Sequence, residues 1–119
     1  MAQYVVRLRY SPEAFRGMVQ DPRSRAGDLQ KLVDGCGMTL ILGGFCVATG
    51  EVFSIVEATP EQAGAAEFAA MATGAFIEIN AYQLISFEEM VGMMKDAGQV
   101  LGQYRPPNQD EIDRMLLDE

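Results

Sequence analysis

The sequence predicts an α+β domain of ferredoxin-like βαββαβ order, followed by one extra helix near its C-terminal end. Three observations carry that prediction. Gln3 to Tyr10 and Phe76 to Ile85 alternate with period two, as half-buried strands do. Met38 to Ala48 and Glu51 to Ala58 are short apolar runs joined at Thr49-Gly50, which reads as a hairpin. Between these segments stand helix starts at Ser11-Pro12, Thr59-Pro60-Glu61-Gln62 and Ser86-Phe87-Glu88-Glu89.

In chain order, the first strand sets Tyr4, Val6, Leu8 and Tyr10 on one face and Gln3, Val5, Arg7 and Arg9 on the other. A helix with Phe15, Met18 and Val19 follows. Asp21-Pro22 interrupts it and is expected to cap a second helical segment striped by Leu29, Leu32, Val33 and Cys36. Gly35 and Gly37 end that segment. The next strand contains Gly43-Gly44, which marks a bulge or a close backbone approach. The helix from Gln62 to Thr73 is rich in alanine, and small side chains let a helix lie close on a sheet. In the fourth strand Ile77, Ile79, Ala81 and Ile85 oppose Glu78, Asn80 and Tyr82. The following helix carries Phe87, Met90, Val91, Met94 and Ala97 at helical spacing. Met90 and Met94 are expected in a core or subunit contact, with Met93 off that stripe. Arg105-Pro106-Pro107 is a stiff break, so the expected division is a domain over residues 1–102 and a Pro-linked acidic tail over 103–119.

Composition removes whole classes of function. The 119 residues contain no histidine, so neither a Ser-His-Asp nor a Cys-His nucleophile pair can be built. A net charge of −8 with nine scattered bases argues against a nucleic-acid surface. The start lacks a secretory pattern and no run is long enough to span a bilayer, so the expectation is a cytoplasmic protein without membrane contact. Cys36 and Cys46 form no CxxC and are expected as reduced, buried thiols. No metal-ligand spacing and no phosphate loop is present, and no cofactor is expected.

A four-stranded sheet with helices on one side leaves its other side bare. Val5, Val52, Val56, Phe76 and Leu84 are expected there, and an apolar patch of several hundred Å² is not tolerated on a monomer. A second copy, sheet against sheet, is the expected remedy. The chain's partner is therefore itself, as a homodimer or higher oligomer.

Several segments resemble a known family. Asp21-Pro22-Arg23-Ser24-Arg25-Ala26, the Gly35–Gly37 turn, the strand-turn-strand about Thr49-Gly50-Glu51, and Ile55-Val56-Glu57-Ala58-Thr59-Pro60 before an alanine-rich helix are similar to GYD domain proteins over residues 3–92. The resemblance implies membership of the dimeric α/β barrel superfamily and leaves the biochemical role unassigned. Gly50 of the namesake motif stands, while Val52 and Phe53 occupy its Tyr and Asp positions.

Such barrels use the cavity between sheet and helices, or the barrel interior. Arg7, Arg9, Glu78, Asn80 and Tyr82 are the polar residues expected near it. Arg7 or Arg9 opposite Glu78 reads either as an ion pair fixing dimer register or as an arginine fork for a carboxylate ligand. Glu51, Glu57 and Glu78 are the carboxylates that burial could turn into a general acid, though no second group marks any of them. No catalytic residue is assigned. The tail from Asn108 to Glu119 carries five acids and one base. Asn108 and Glu111 suit a capping box for a short helix, and Ile112, Met115, Leu116 and Leu117 are apolar residues that a purely solvating tail does not need. A proline spacer before an amphipathic turn is the layout of a docking peptide, whether for another protein or for a neighbouring subunit. The expected function is thus a homo-oligomeric, non-enzymatic binding or adaptor module, acting through its tail or through a small-molecule cavity at the interface. The alternative is a cofactor-independent oxygenase or isomerase of the dimeric α/β barrel type.

Overall fold

A computed structural model describes residues 2–117. Residues up to Leu84 and residues from Ile85 onward form two compact units, so the expected boundary after residue 102 falls inside the second unit. In the first unit the strands are β1 (Ala2–Tyr10), β2 (Thr39–Cys46), β3 (Glu51–Ala58) and β4 (Phe76–Leu84). The helices are α1 (Pro12–Gln20), α2 (Ala26–Gly35) and α3 (Pro60–Ala72). The sheet is antiparallel throughout, in the order β2-β3-β1-β4. That order and the βαββαβ succession are compatible with the ferredoxin-like arrangement.

Local chemistry sets the helix starts. The Ser11 hydroxyl accepts from the Ala14 backbone N–H, and Thr59 and Gln62 form a reciprocal capping box. Gln62 does more, because its side-chain amide also donates to the Gly37 carbonyl and ties the start of α3 to the end of α2. Gly37 itself has φ +74°, the left-handed cap that ends α2 without a Cβ penalty. Asp21 does not cap α2. It closes α1 instead, its N–H donating to the Gly17 carbonyl. Pro22 disfavours helix at the residue before it, and α2 starts four residues later with Arg25 at its N-cap.

All three helices lie on one side of the sheet, the side of Tyr4, Leu8 and Val56. The core joins Tyr4, Val33, Met38, Val56, Ala58 and Ala63. Ala63 and Ala70 are the buried residues of α3, whose small side chains allow the close approach that the sequence implies. On β2, a Cβ at Gly43 would stand 3.0 Å from a Leu29 methyl, so this glycine lets α2 sit down on the strand. The bulge lies elsewhere, between Leu40 and Leu42, where Ile41 is the extra residue.

Register corrects the face assignment of three residues. Val5 pairs with Ile55 and Arg7 with Phe53, so Val52 and Val56 fall on the helix side with Leu8 and Tyr4. Val56 is only 1% exposed. Phe76 stacks on Tyr10 at the helix-covered end of the sheet. The run Val52, Phe53, Ile55, Val56 is apolar on both faces, so alternation alone does not choose between them.

The second unit comprises α4 (Phe87–Leu101) and α5 (Gln109–Leu117). Ser86 and Glu89 form the expected capping box of α4. No described residue of α4 is buried, and Met90, Met93 and Met94 are all exposed, which removes the core role expected for Met90 and Met94. Cys36 and Cys46 are free thiols, half-buried and not fully enclosed. Among the described residues, no helix is long and apolar enough to cross a membrane.

Trimming Val56 to alanine removes two methyl groups from a site with no slack, so Val56→Ala is expected to cost about 2–3 kcal/mol. Urea unfolding followed by circular dichroism measures it.

Candidate functional site: the open face of the sheet

No helix of the first unit covers the side of the sheet that carries Val5, Arg7 and Arg9. Across β3, β1 and β4 the register aligns Phe53, Arg7 and Asn80 in one row and Glu51, Arg9 and Glu78 in the next. Arg7, Arg9, Glu78, Asn80 and Tyr82 therefore all come together, as strand alternation indicates. They do so on the face opposite the helices and not in a cavity between helices and sheet. Arg9 does oppose Glu78, with its Nε 3.7 Å from the carboxylate.

The centre of the cluster is Glu51. Its side chain is 1% exposed, and Arg7 Nη2 donates to its Oε1 at 2.7 Å. Arg9 Nη2 stands 3.7 Å from the same oxygen. The Arg7 hydrogen bond, ahead of the opposing effect of burial, holds the Glu51 carboxyl below the usual carboxylate range, and Thr49 adds a further hydrogen bond. Glu51 in turn raises Arg7, and the Tyr82 hydroxyl contributes in the same direction. The Arg7 guanidinium also lies 5.6 Å from the centre of the Phe53 ring.

This geometry selects among the chemistries open to the sequence. A carboxyl held ionised by an arginine is a poor proton donor, so this geometry does not favour Glu51 as a general acid. The carboxylate that occupies the arginine fork belongs to the chain itself. Buried charges persist when paired, and the Nε atoms of Arg7 and Arg9 are buried without a hydrogen-bond partner among the described residues. At the neighbouring position on β2, hydrogen bonds from Thr49 and from the turn backbone lower the Cys46 thiol. Among the described residues, no cluster of three or more His, Cys, Asp or Glu comes together to hold a metal ion.

Beyond the charges the face mixes exposed apolar residues with the Gln3–Glu57 pair at its far end. Leu42 is 64% exposed, and Tyr82 and Leu84 are exposed as well. Sequence reasoning grouped the arginines with β4 but missed Glu51 as their anchor. The signal available was its place at the first position of β3, in line with Arg9 once the strands pair.

The helix side holds a feature that the sequence did not disclose. A cleft of about 1250 Å³ opens between α1, α2 and the sheet, bordered by Tyr10, Phe15, Phe45 and Phe76. None of the five expected ligand-binding residues lines it. In the second unit, Ile112 is half-buried while Met115, Leu116 and Leu117 of α5 are exposed, so the apolar stripe foreseen for the tail exists on a real helix. Arg105 pairs with Asp110 at the start of that helix.

No protein-family model matches this chain, and neither a curated protein nor a solved structure matches it.

The depressed Glu51 carboxyl gives stability a definite pH dependence. Its contribution is complete above the ordinary carboxylate value of 4.5 and is lost as pH falls through the lower folded value. Glu51→Gln is expected to lower stability at pH 7 and to flatten the decline below about pH 4.5. Thermal unfolding of both proteins between pH 3 and 7, about the range in which carboxylates titrate, measures the difference.

Proposed function

We propose that this chain is a homo-oligomeric, non-enzymatic binding module that pairs through the open face of its sheet and displays α5 to a partner. One observation supports the pairing above the others. An ion-paired cluster with a fully enclosed carboxylate lies at one end of a sheet face that also exposes Leu42, Tyr82 and Leu84 and that no helix of its own unit covers. Four strands about 4.8 Å apart and about eight residues long make that face roughly 500 Å² in projection. A bare sheet face of that size, with exposed apolar residues beside paired charges, suits an association site.

The occupant that fits is a second copy. The face carries both arginine donors and the exposed carboxylate of Glu78, so it is complementary to itself, as an isologous interface requires. Two sheets meeting in this way would form the dimeric α/β barrel that the GYD resemblance implies. The tail supports the second half of the reading: it combines four net negative charges, a proline spacer and an amphipathic helix. Several weakly binding tails on one oligomer act together through avidity.

Placing a lysine at Leu42 or Val5 should break the contact, because the mutation sets a charge in the apolar part of the face without entering the core. Light scattering at micromolar concentration is expected to show the native oligomer halving in mass for Leu42→Lys and Val5→Lys. A native chain that already runs as a monomer overturns the reading. Removal of residues 105–119 is expected to leave the thermal unfolding midpoint and oligomer mass unchanged, with far-ultraviolet dichroism falling only by the contribution of α5 itself. That truncation should abolish whatever partner the intact protein co-purifies, as read by mass spectrometry.

A further inference from the structure

The cleft on the helix side has its own chemistry, separate from the open face. Its walls are aromatic. Tyr10 stacks on Phe76 with ring centres 4.9 Å apart, Phe15 meets Tyr10 edge-on at 5.6 Å, and Phe45 meets Phe15 edge-on at 5.8 Å. The remaining boundary is built from small residues, including Gly17 of α1 and Ala69 and Ala70 of α3. A Cβ placed on Gly17 meets no heavy atom within 4 Å, so the space is not taken up by neighbouring side chains. Phe45 remains 47% exposed, although it faces the same side as the core.

The polar residues that line the cleft are Tyr10, Ser24, Thr73 and four charged side chains. Burial raises the Tyr10 phenol above its ordinary value, so it stands as a neutral O–H donor among the rings. Arg25 and Asp28, at the start of α2, act on it with opposite sign and are set against each other at 3.8 Å. Arg23 is likewise set against Asp21 at the rim. The charges therefore cancel in pairs and offer no net site for an ion. The acidic α5 of a second copy does not suit this rim either, since its Asp110, Glu111 and Asp113 would approach Asp21 and Asp28. Water in such a cleft finds few partners, and an apolar body displaces it favourably. Ligand pockets of about 300–1000 Å³ hold drug-sized molecules, and this one is at least that large.

We propose that the cleft binds an uncharged, flat aromatic molecule of two or three fused rings, with its rings against Phe15, Phe45 and Phe76 and one acceptor oxygen on the Tyr10 hydroxyl. Edge-to-face and offset contacts with the existing rings favour an aromatic body over an aliphatic chain of equal area. A phenol set among the rings, with the arginines of the cleft already set against Asp21 and Asp28, suits a ligand with one carbonyl or ether oxygen.

Calorimetric titration of the full chain with 2-acetylnaphthalene tests this, with 2-naphthoate and 1-decanol as controls. The expected result is saturable binding of one molecule per chain, with 2-acetylnaphthalene at least about tenfold tighter than either control. Gly17→Leu fills the cleft from an exposed helix position, and Phe45→Ala removes a wall. Each is expected to weaken binding about tenfold or more, with oligomer mass unchanged. Tyr10→Phe should weaken it about fivefold, the loss of one hydrogen bond. Gly17→Leu improves local helix propensity, so it reports on the cleft even if Phe45→Ala does not fold. Absence of binding, equal binding of 1-decanol, tighter binding of 2-naphthoate, or an affinity indifferent to Gly17→Leu overturns the proposal. Because oligomer mass is measured separately, failure here is distinct from failure of the sheet-to-sheet association.

Discussion

Everything in the first unit depends on β1 lying between β3 and β4, hydrogen-bonded on both sides. A central strand has no free edge, so its two registers fix the direction of every side chain in the sheet. Once Val5 stands against Ile55 and Tyr82, and Arg9 against Glu51 and Glu78, one face receives Tyr4, Leu8 and Val56 and the other receives the charges. Slipping one residue would exchange the faces, placing Arg7 and Arg9 in the core. The cost of burying two unpaired guanidinium groups makes that alternative prohibitive. Hydrophobic burial on one side and charge pairing on the other thus select the same register.

Glu51 shows how such a sheet keeps an ion where a hydrophobe would be easier to enclose. Two arginines from the neighbouring strand and Thr49 from the adjoining turn surround its carboxylate. A buried pair of this kind is weak evidence for stability, because desolvation offsets much of the Coulomb gain. Its better-attested physical role is to specify register and partner. The cluster sits at one end of a face that also carries Leu42, Ile55, Tyr82 and Leu84. That placement is what directs the functional reading toward self-association and away from catalysis.

The two sides of the sheet have opposite characters. One is broad and flat, with exposed apolar residues beside fixed charges at one end, which suits a large flat partner such as another sheet. The other is concave, ringed by aromatic side chains and neutral in its charge pairs, which suits a small molecule. The sheet separates the two, so an oligomer formed through the open face leaves the cleft accessible from the helix side. The cleft exists because the α1–α2 connection is extended after Pro22 and because Gly17, Gly43 and the alanines of α3 give little bulk.

Much of the fold was legible in the sequence because its signals are local. Period-two alternation located β1 and β4, and the hydroxyl caps Ser11, Thr59 and Ser86 act through hydrogen bonds three residues away. Glycine at Gly37 and Gly50 marks backbone with positive φ. Grouping Arg7, Arg9, Glu78, Asn80 and Tyr82 on one face also needed only strand periodicity. What the sequence could not determine were matters of long-range pairing. The β3 run is apolar on both faces, so only its register with β1 assigned Val52 and Val56 to the core. The enclosure of Glu51 depends on side chains 44 residues away in the chain. The aromatic cleft gathers Tyr10, Phe15, Phe45 and Phe76 from four different elements, and no spacing along a chain records a distance in space.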